Sequence, residues 1–274
     1  MGFPVKRLNN DVEIPVLGLG IYLMENLDEM KQAVNYALEA GYRSFDTAQM
    51  YGNEALLGET LQGCGMDRKE LFLTSKVDNG NQGYENTLAS FSKSLERLQT
   101  DYLDLFLVHW PGQQKARLLE TWRAMEKLYQ DGLVRAIGVC NCEPRHLEWI
   151  LEKAEIIPAV NQVENHPLFQ DNALAAWCRE KGIQMEAWAP LIRGSFDLPG
   201  LKEIAEKYGK TPAQVILRWD IQKDYIVIPK SIHPNRILEN ADLFDFSLEE
   251  KDIAVLDQMN QGRRTSFDPQ TFDF

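Results

Sequence analysis

The chain has 274 residues, of which 44% are hydrophobic and 26% charged, with a formal net charge of −12. That length carries one large α/β barrel or two average domains and buries a full core without staples, and one domain over residues 1–274 is expected. The acidic balance excludes nucleic acid and anionic lipid from most of the surface, so a phosphate-bearing partner needs a local basic site.

No stretch approaches the roughly 18 consecutive apolar residues of a membrane span. The opening MGFPVKRLNNDVEIP has no apolar run behind its basic residues, unlike a secretory or transit peptide. The four cysteines, Cys64, Cys140, Cys142 and Cys178, include no C-x-x-C pair and none has metal-ligand spacing with histidine. A cytoplasmic protein with reduced thiols, no metal, no membrane and no nucleic-acid partner is expected.

In chain order, KRLNNDVEIP has turn residues at its centre and reads as a hairpin. Eight strand-type runs follow: VLGLG, YRSFDT, LFLTSKV, YLDLFLVHW, VRAIGVC, AVNQVE, QMEAWAP and YIVIPK. Amphipathic stretches such as DEMKQAVNYALEAG, YENTLASFSKSLERL and ARLLETWRAMEKLYQDG lie between them, several closed by a C-capping Gly, and LEEKDIAVLDQMN adds a last helix. Eight β/α alternations with buried-type strands predict a (β/α)₈ TIM barrel with an N-terminal β-hairpin and an extra C-terminal helix. A dinucleotide fold of the open-sheet kind would need G-x-G-x-x-G after the first strand, but Gly18 and Gly20 are followed by IYLM.

In such a barrel the chemistry sits at the C-terminal ends of strands. Three consecutive strands end in ionisable residues: RSFDT at Asp46, LFLTSKV near Lys76, and DLFLVHW near His109. The loop after Asp46, TAQMYGNE, brings Tyr51 to the same mouth. Singly, Asp46 could cap a helix, Lys76 could snorkel, His109 could be a core histidine and Tyr51 loop packing. Together they make a poor metal site and a sensible proton-transfer site. A phenol titrates near pH 10 in water; an adjacent ammonium stabilises the phenolate and lowers that value, and Asp46 can keep the ammonium charged. A metal-dependent barrel hydrolase would need several histidines at strand ends, whereas His146, His166 and His233 fall in helix or loop segments.

GYRSFDTAQMYGNEALLG (41–58), LVHWP (107–111), AIGVCNC (136–142) and IPKSIHPNRILEN (228–240) resemble the motifs of the aldo-keto reductases, most closely of short-loop bacterial members such as the 2,5-diketo-D-gluconate reductases. The resemblance spans nearly the whole chain and implies an oxidoreductase acting on carbonyl and CH–OH groups. Asp46, Tyr51, Lys76 and His109 match the family's catalytic tetrad, with Tyr51 as proton donor and His109 orienting the carbonyl. NADPH is the implied cofactor. Its 2′-phosphate falls to Lys230, Ser231 and Arg236 at the start of a helix, and its adenine to Glu239 and Asn240. Asn141 and Gln162 would hold the carboxamide and Trp188 would stack on the ring, with Gly20, Ile21, Leu191 and Ile232 completing the contacts.

Three positions, in two segments, depart from the family pattern. Cys140 stands where Ser is usual and offers a weaker hydrogen bond, and Ile192-Arg193 stands where glycine is common in the loop over the pyrophosphate. Arg193 would add a charge there. Tyr22, Val77, His109 and Trp110 would line the substrate side. The short connection after HWPGQQKA and the brief tail RRTSFDPQTFDF imply an open pocket, and the resemblance to short-loop bacterial members implies small α-dicarbonyls, keto sugars and aldehydes as substrates. Well-charged helix faces without heptads imply a monomer. A non-catalytic NADP-binding regulatory subunit is the alternative that only turnover excludes.

Overall fold

The computed structural model describes residues 2–274. β1 (Val5–Arg7) and β2 (Glu13–Pro15) form the expected antiparallel hairpin, with Val5 opposite Pro15. Its reversal places Asp11 at φ 67°, a left-handed conformation that Asp tolerates. Eight parallel strands follow: β3 (Gly18–Gly20), β4 (Ser44–Asp46), β5 (Phe72–Val77), β6 (Leu103–Val108), β7 (Val134–Cys140), β8 (Val160–Glu164), β9 (Gln184–Trp188) and β10 (Ile226–Val227). Each lies in one of the eight runs expected from sequence. They pair in chain order from β3 to β10, and parallel bridges Leu17–Val227 and Gly20–Lys230 close the ring.

The helices are α1 (Leu27–Glu39), α2 (Glu54–Gln62), α3 (Tyr84–Leu98), α4 (Lys115–Gln130), α5 (Pro144–Leu151), α6 (Asn172–Glu180), α7 (Leu201–Tyr208), α8 (Pro212–Gln222), α9 (Pro234–Ala241) and α10 (Glu250–Asp257). Local chemistry starts several of them. Asn26 caps α1 by accepting from Asp28 and Glu29 N–H, and Thr211 with Gln214 makes a capping box ahead of Pro212 in α8. α10 is the expected extra helix. α7 is a second addition, inserted between β9 and α8 and packed with α8 and α10 through Leu201, Ile204, Trp219 and Leu256.

Strand side chains alternate between two layers, as a period of two requires. Leu73, Phe106, Val108 and Ile137 join the large cluster that packs the strands onto the helices. Phe72, Leu105, Leu107, Ala136, Val160 and Ile226 instead fill the bore together with Leu8 and Ile14 of the hairpin, which floors the barrel. Gly138 is required where β7 and β8 approach: a Cβ there would meet Val160 O at 2.5 Å. Above this apolar floor the inward positions turn polar, at Asp46, Lys76, Cys140, Gln162 and Glu186, all buried. That polar layer is where the strands hand their ends to the mouth.

Candidate active site

Lys76 points into the bore from β5 with none of its side chain exposed. Its ammonium donates to Asp46 Oδ1 at 2.5 Å and to Thr47 O at 2.8 Å, and it lies 5.2 Å from the centroid of the Tyr51 ring. Burial opposes the charge, but Asp46 and Tyr51 outweigh it and hold the ammonium above the usual lysine range. Tyr51 stands on a single 3₁₀ turn (Gln49–Tyr51) that Gly52 ends at φ 69°. Burial raises the phenol well above its usual value; Lys76 pulls it down and Asp46 pushes it up, so the net shift is upward. The expected downward pull of Lys76 is present, and desolvation exceeds it.

His109 follows β6 and is nearly buried, its ring edge-on to Tyr51 at 5.6 Å between centroids. Burial, and then the charge of Lys76, hold its imidazole well below the usual histidine range, so it is neutral. Its Nδ1 has no partner among the described residues. A buried bare lone pair is cheaper than a buried unpaired N–H, which assigns the proton to Nε2. The neutral ring therefore offers one donor.

Around this core sit residues that sequence reasoning did not single out. Asn53, buried, accepts from Thr47 Oγ1 at 2.7 Å and donates to Ile21 O at 2.9 Å and Met24 O at 3.2 Å, tying the loop after β3 to the Tyr51 loop. Gln49 accepts from Asp78 N at 3.0 Å and Asn81 Nδ2 at 2.9 Å, and fixes the same turn from the other side. Glu186, two residues before Trp188 on β9 and so on the same inward face, is 1% exposed and accepts from Gln162 Nε2 at 2.8 Å. The signal for Glu186 was in the strand itself: a carboxylate at an inward position of a barrel normally filled by apolar side chains.

The residues expected at the cofactor's nicotinamide end are adjacent. Gln162 Nε2 also donates to Asp46 Oδ2 at 2.8 Å, and Cys140 Sγ lies 3.7 Å from Gln162 Oε1. Burial raises the Cys140 thiol well above its usual value, so it is an unreactive donor. Asn141, at φ 58°, donates to His109 O at 3.0 Å and accepts from Trp188 Nε1 at 2.9 Å, which fixes the indole in its half-buried position.

At the far end, the bridge to Gly20 sets Lys230 at the barrel rim, and Ser231 Oγ accepts from His233 N at 3.1 Å ahead of α9. Lys230 and Arg236 are exposed, and neither has an ion-pair partner among the described residues although the chain is strongly acidic. Two uncompensated cations beside a helix start suit an anion of the size of a ribose phosphate. Glu239 accepts from Thr211 Oγ1 at 2.7 Å, and Asn240 is buried beside it. Arg193 is exposed at φ 52°, flanked by Ile192 at φ 51° and Gly194 at φ 88°; this left-handed run accounts for the glycine usual there. Leu191 and Ile232 are half-buried against the core.

Two expected contact residues fall away from the mouth. Val77 alternates with Lys76, so its side chain turns outward and is fully buried in the strand–helix layer rather than lining the substrate side. Ile21 is also fully buried; its N–H donates to Asp46 O and its carbonyl accepts from Asn53, so it presents no surface to a cofactor.

The expectation of an open mouth holds on one side only. Tyr22 is 49% exposed, its ring 4.9 Å from Tyr51, with Leu23 and Met50 exposed as well. On the other side the short tail covers Trp110: Phe272 and Phe267 pack on its ring at 4.8 and 6.2 Å. Gln113 donates to Pro269 O and Phe272 O, Thr265 to Glu164 and Arg264 to Glu143, and these bonds fix the tail in place.

The profile of the Aldo/keto reductase family matches residues 17–261. The chain is 52% identical over 269 residues to glyoxal reductase of Bacillus subtilis (strain 168), covering 98% of this chain and 97% of that protein. It is 40% identical over 271 residues to methylglyoxal reductase DkgA of Escherichia coli O157:H7, covering 98% of each. Among solved structures, a mutant of Gox0644 crystallised in complex with NADPH matches with a TM-score of 0.94 at 39% identity over 100% of both chains. The fold, the four-residue cluster at its mouth and these likenesses agree: the chain belongs to the aldo/keto reductase family of oxidoreductases.

Proposed function

We propose that the chain reduces small aldehydes and ketones, α-dicarbonyls such as glyoxal and methylglyoxal foremost, with NADPH as reductant and Tyr51 as proton donor. The observation that carries this reading is the fully buried Lys76 ammonium, held by Asp46 and facing the Tyr51 ring. NADPH, when bound, supplies a hydride to the carbonyl carbon. Everything else falls to the chain's own groups. Tyr51 is protonated at neutral pH, as an acid must be, and the Lys76 charge stabilises the phenolate as its proton leaves for the carbonyl oxygen. Asp46 keeps Lys76 charged in a setting that would otherwise strip its proton. His109 Nε2–H donates to the same oxygen and orients the carbonyl.

The residues present fit the cofactor. Lys230 and Arg236 offer free charge for a 2′-phosphate, and Trp188, Asn141 and Gln162 surround the position for the ring and its carboxamide. The names of the relatives support α-dicarbonyl substrates, and the exposed Tyr22 side leaves room for them. Loss of NADPH absorbance on addition of methylglyoxal to the purified protein tests the reading. Cofactor binding without turnover of any aldehyde would instead support a non-catalytic regulatory subunit.

A further inference from the structure

A carboxylate inside a barrel needs a reason, because a branched apolar side chain fills such a position without desolvation. Glu186 is such a carboxylate, and among the described residues its one side-chain hydrogen bond is with Gln162. The two are register partners on β9 and β8. Asp46 reaches Gln162 from β4, four strands away in a ring of eight and therefore across the bore. A primary amide has two N–H bonds in one plane, and here one goes to each carboxylate, both at 2.8 Å. The reversed amide would turn its oxygen on the Asp46 carboxylate, and on Glu186 as well when that group is ionised, and would lose the bond to Asp46 in either case, so the orientation is set.

We propose that Glu186 is a positioning residue for the cofactor's carboxamide: with Asp46 it claims both N–H bonds of Gln162 and so presents the Gln162 carbonyl oxygen, beside Cys140, to an amide N–H donor. Cys140 Sγ takes one lone pair of that oxygen at 3.7 Å, and no other protein donor reaches it among the described residues. The remaining lone pair accepts from a carboxamide –NH₂ and has nothing to accept from a methyl ketone at the same place. Either protonation state of Glu186 keeps an acceptor toward Gln162, and so does a glutamine; an aliphatic residue does not. The proposal rests on the reading of the chain as an NADPH-dependent reductase.

The test compares NADPH with its reduced 3-acetylpyridine analogue, in which a methyl ketone replaces the carboxamide. Both are titrated by protein-fluorescence quenching into the wild type, Glu186→Gln and Glu186→Leu. The wild type and Glu186→Gln are expected to prefer NADPH by about tenfold, the worth of one buried hydrogen bond. Glu186→Leu is expected to lose that preference, through a roughly tenfold weaker NADPH affinity with the analogue's little changed. An equal loss for both cofactors, or an unchanged preference, overturns the proposal, since a role in packing alone treats the two alike. If Glu186→Leu does not fold, Glu186→Ala takes its place; if neither folds, the residue serves the barrel's stability and the proposal falls. A wild type that neither binds NADPH nor reduces methylglyoxal would refute the functional reading itself, which separates the two failures.

Discussion

The Lys76 ammonium and the Asp46 carboxylate form an ion pair at 2.5 Å with no solvent on the lysine side, and the Tyr51 ring lies against the same ammonium. A buried pair of this kind adds little net stability, but breaking it leaves an uncompensated charge at a cost of about 3–5 kcal/mol. Its worth is therefore sought in chemistry. Tyr51→Phe removes the acid and keeps the ring, so NADPH binding is expected to survive while methylglyoxal reduction falls by 10²-fold or more. Lys76→Met is expected to cripple turnover as well. The two losses should not add, because both disable one proton-transfer unit. Steady-state assays with parallel cofactor titrations check this, and a Tyr51→Phe enzyme with near-normal kcat would rule out Tyr51 as the acid.

Lys230 and Arg236 carry charges that nothing in the described chain neutralises, in a protein of net charge −12. NADPH is expected to bind at least tenfold more tightly than NADH, and Lys230→Ala and Arg236→Ala should each erode the difference while leaving NADH affinity nearly unchanged. The preference should also shrink as salt rises, since both cations face water. Equal affinities for the two cofactors in the wild type would remove the 2′-phosphate assignment.

What was legible in the sequence was what depends on pattern. LFLTSKV is buried throughout and VRAIGVC at every residue but Arg135, each with turn residues at its ends, so both announce themselves without tertiary context. Asp46, Lys76 and His109 could be grouped from sequence because they close strands or follow them directly, and Tyr51 because its short loop leads out of Asp46. Val77 was expected on the substrate side although the alternation that turns Lys76 inward already turns Val77 out. The short helix α7 was missed because LKEIAEKY is only eight residues long and lies between two left-handed glycines, Gly200 and Gly209, so it reads as a loop. Glu186 was passed over for a different reason. Its inward place in QMEAWAP was a signal in the strand, but its role depends on Gln162, its neighbour on β8, and on Asp46, which reaches Gln162 across the bore only once the ring closes.

Among the described residues, large exposed apolar side chains gather at Tyr22, Leu23 and Met50 on one side of the mouth and at Phe267 and Phe274 of the tail, where Phe272 joins them; Val5, Ile157, Leu238 and Val255 stand apart from one another. Scattered residues of this kind do not make an interface core, which needs a contiguous patch. A monomer is expected by sedimentation velocity at micromolar concentration. A dimer there would redirect attention to the mouth and to the tail beside it, where exposed apolar side chains are grouped.

Glu186 also makes a claim on stability that can be measured without any cofactor. Burial first, and then the negative charge of Asp46, push its carboxyl up to about 7, against the pull of Gln162 and Lys76. The groups facing it are Asp46 on β4, Lys76 on β5, the neutral Cys140 thiol on β7 and Gln162 on β8. An unfolded glutamate titrates near ~4.3. Between those values the native chain holds a proton that the unfolded chain has released, so stability falls as pH rises, and the loss is complete once pH passes the folded value. Glu186→Gln keeps the shape and the acceptor but cannot ionise. Its Tm should match the wild type near about pH 5 and exceed it by several degrees near about pH 8, each kcal/mol being worth roughly 2–4 °C in a domain of this size. Asp220 is a second buried carboxyl raised by burial, but it titrates in both proteins and cancels in the difference. Thermal melts of the two proteins in matched buffers give the answer. A Tm difference that does not change with pH would mean that Glu186 keeps one charge state across the range, and that its hydrogen bond to Gln162 alone, not its titration, governs the layer.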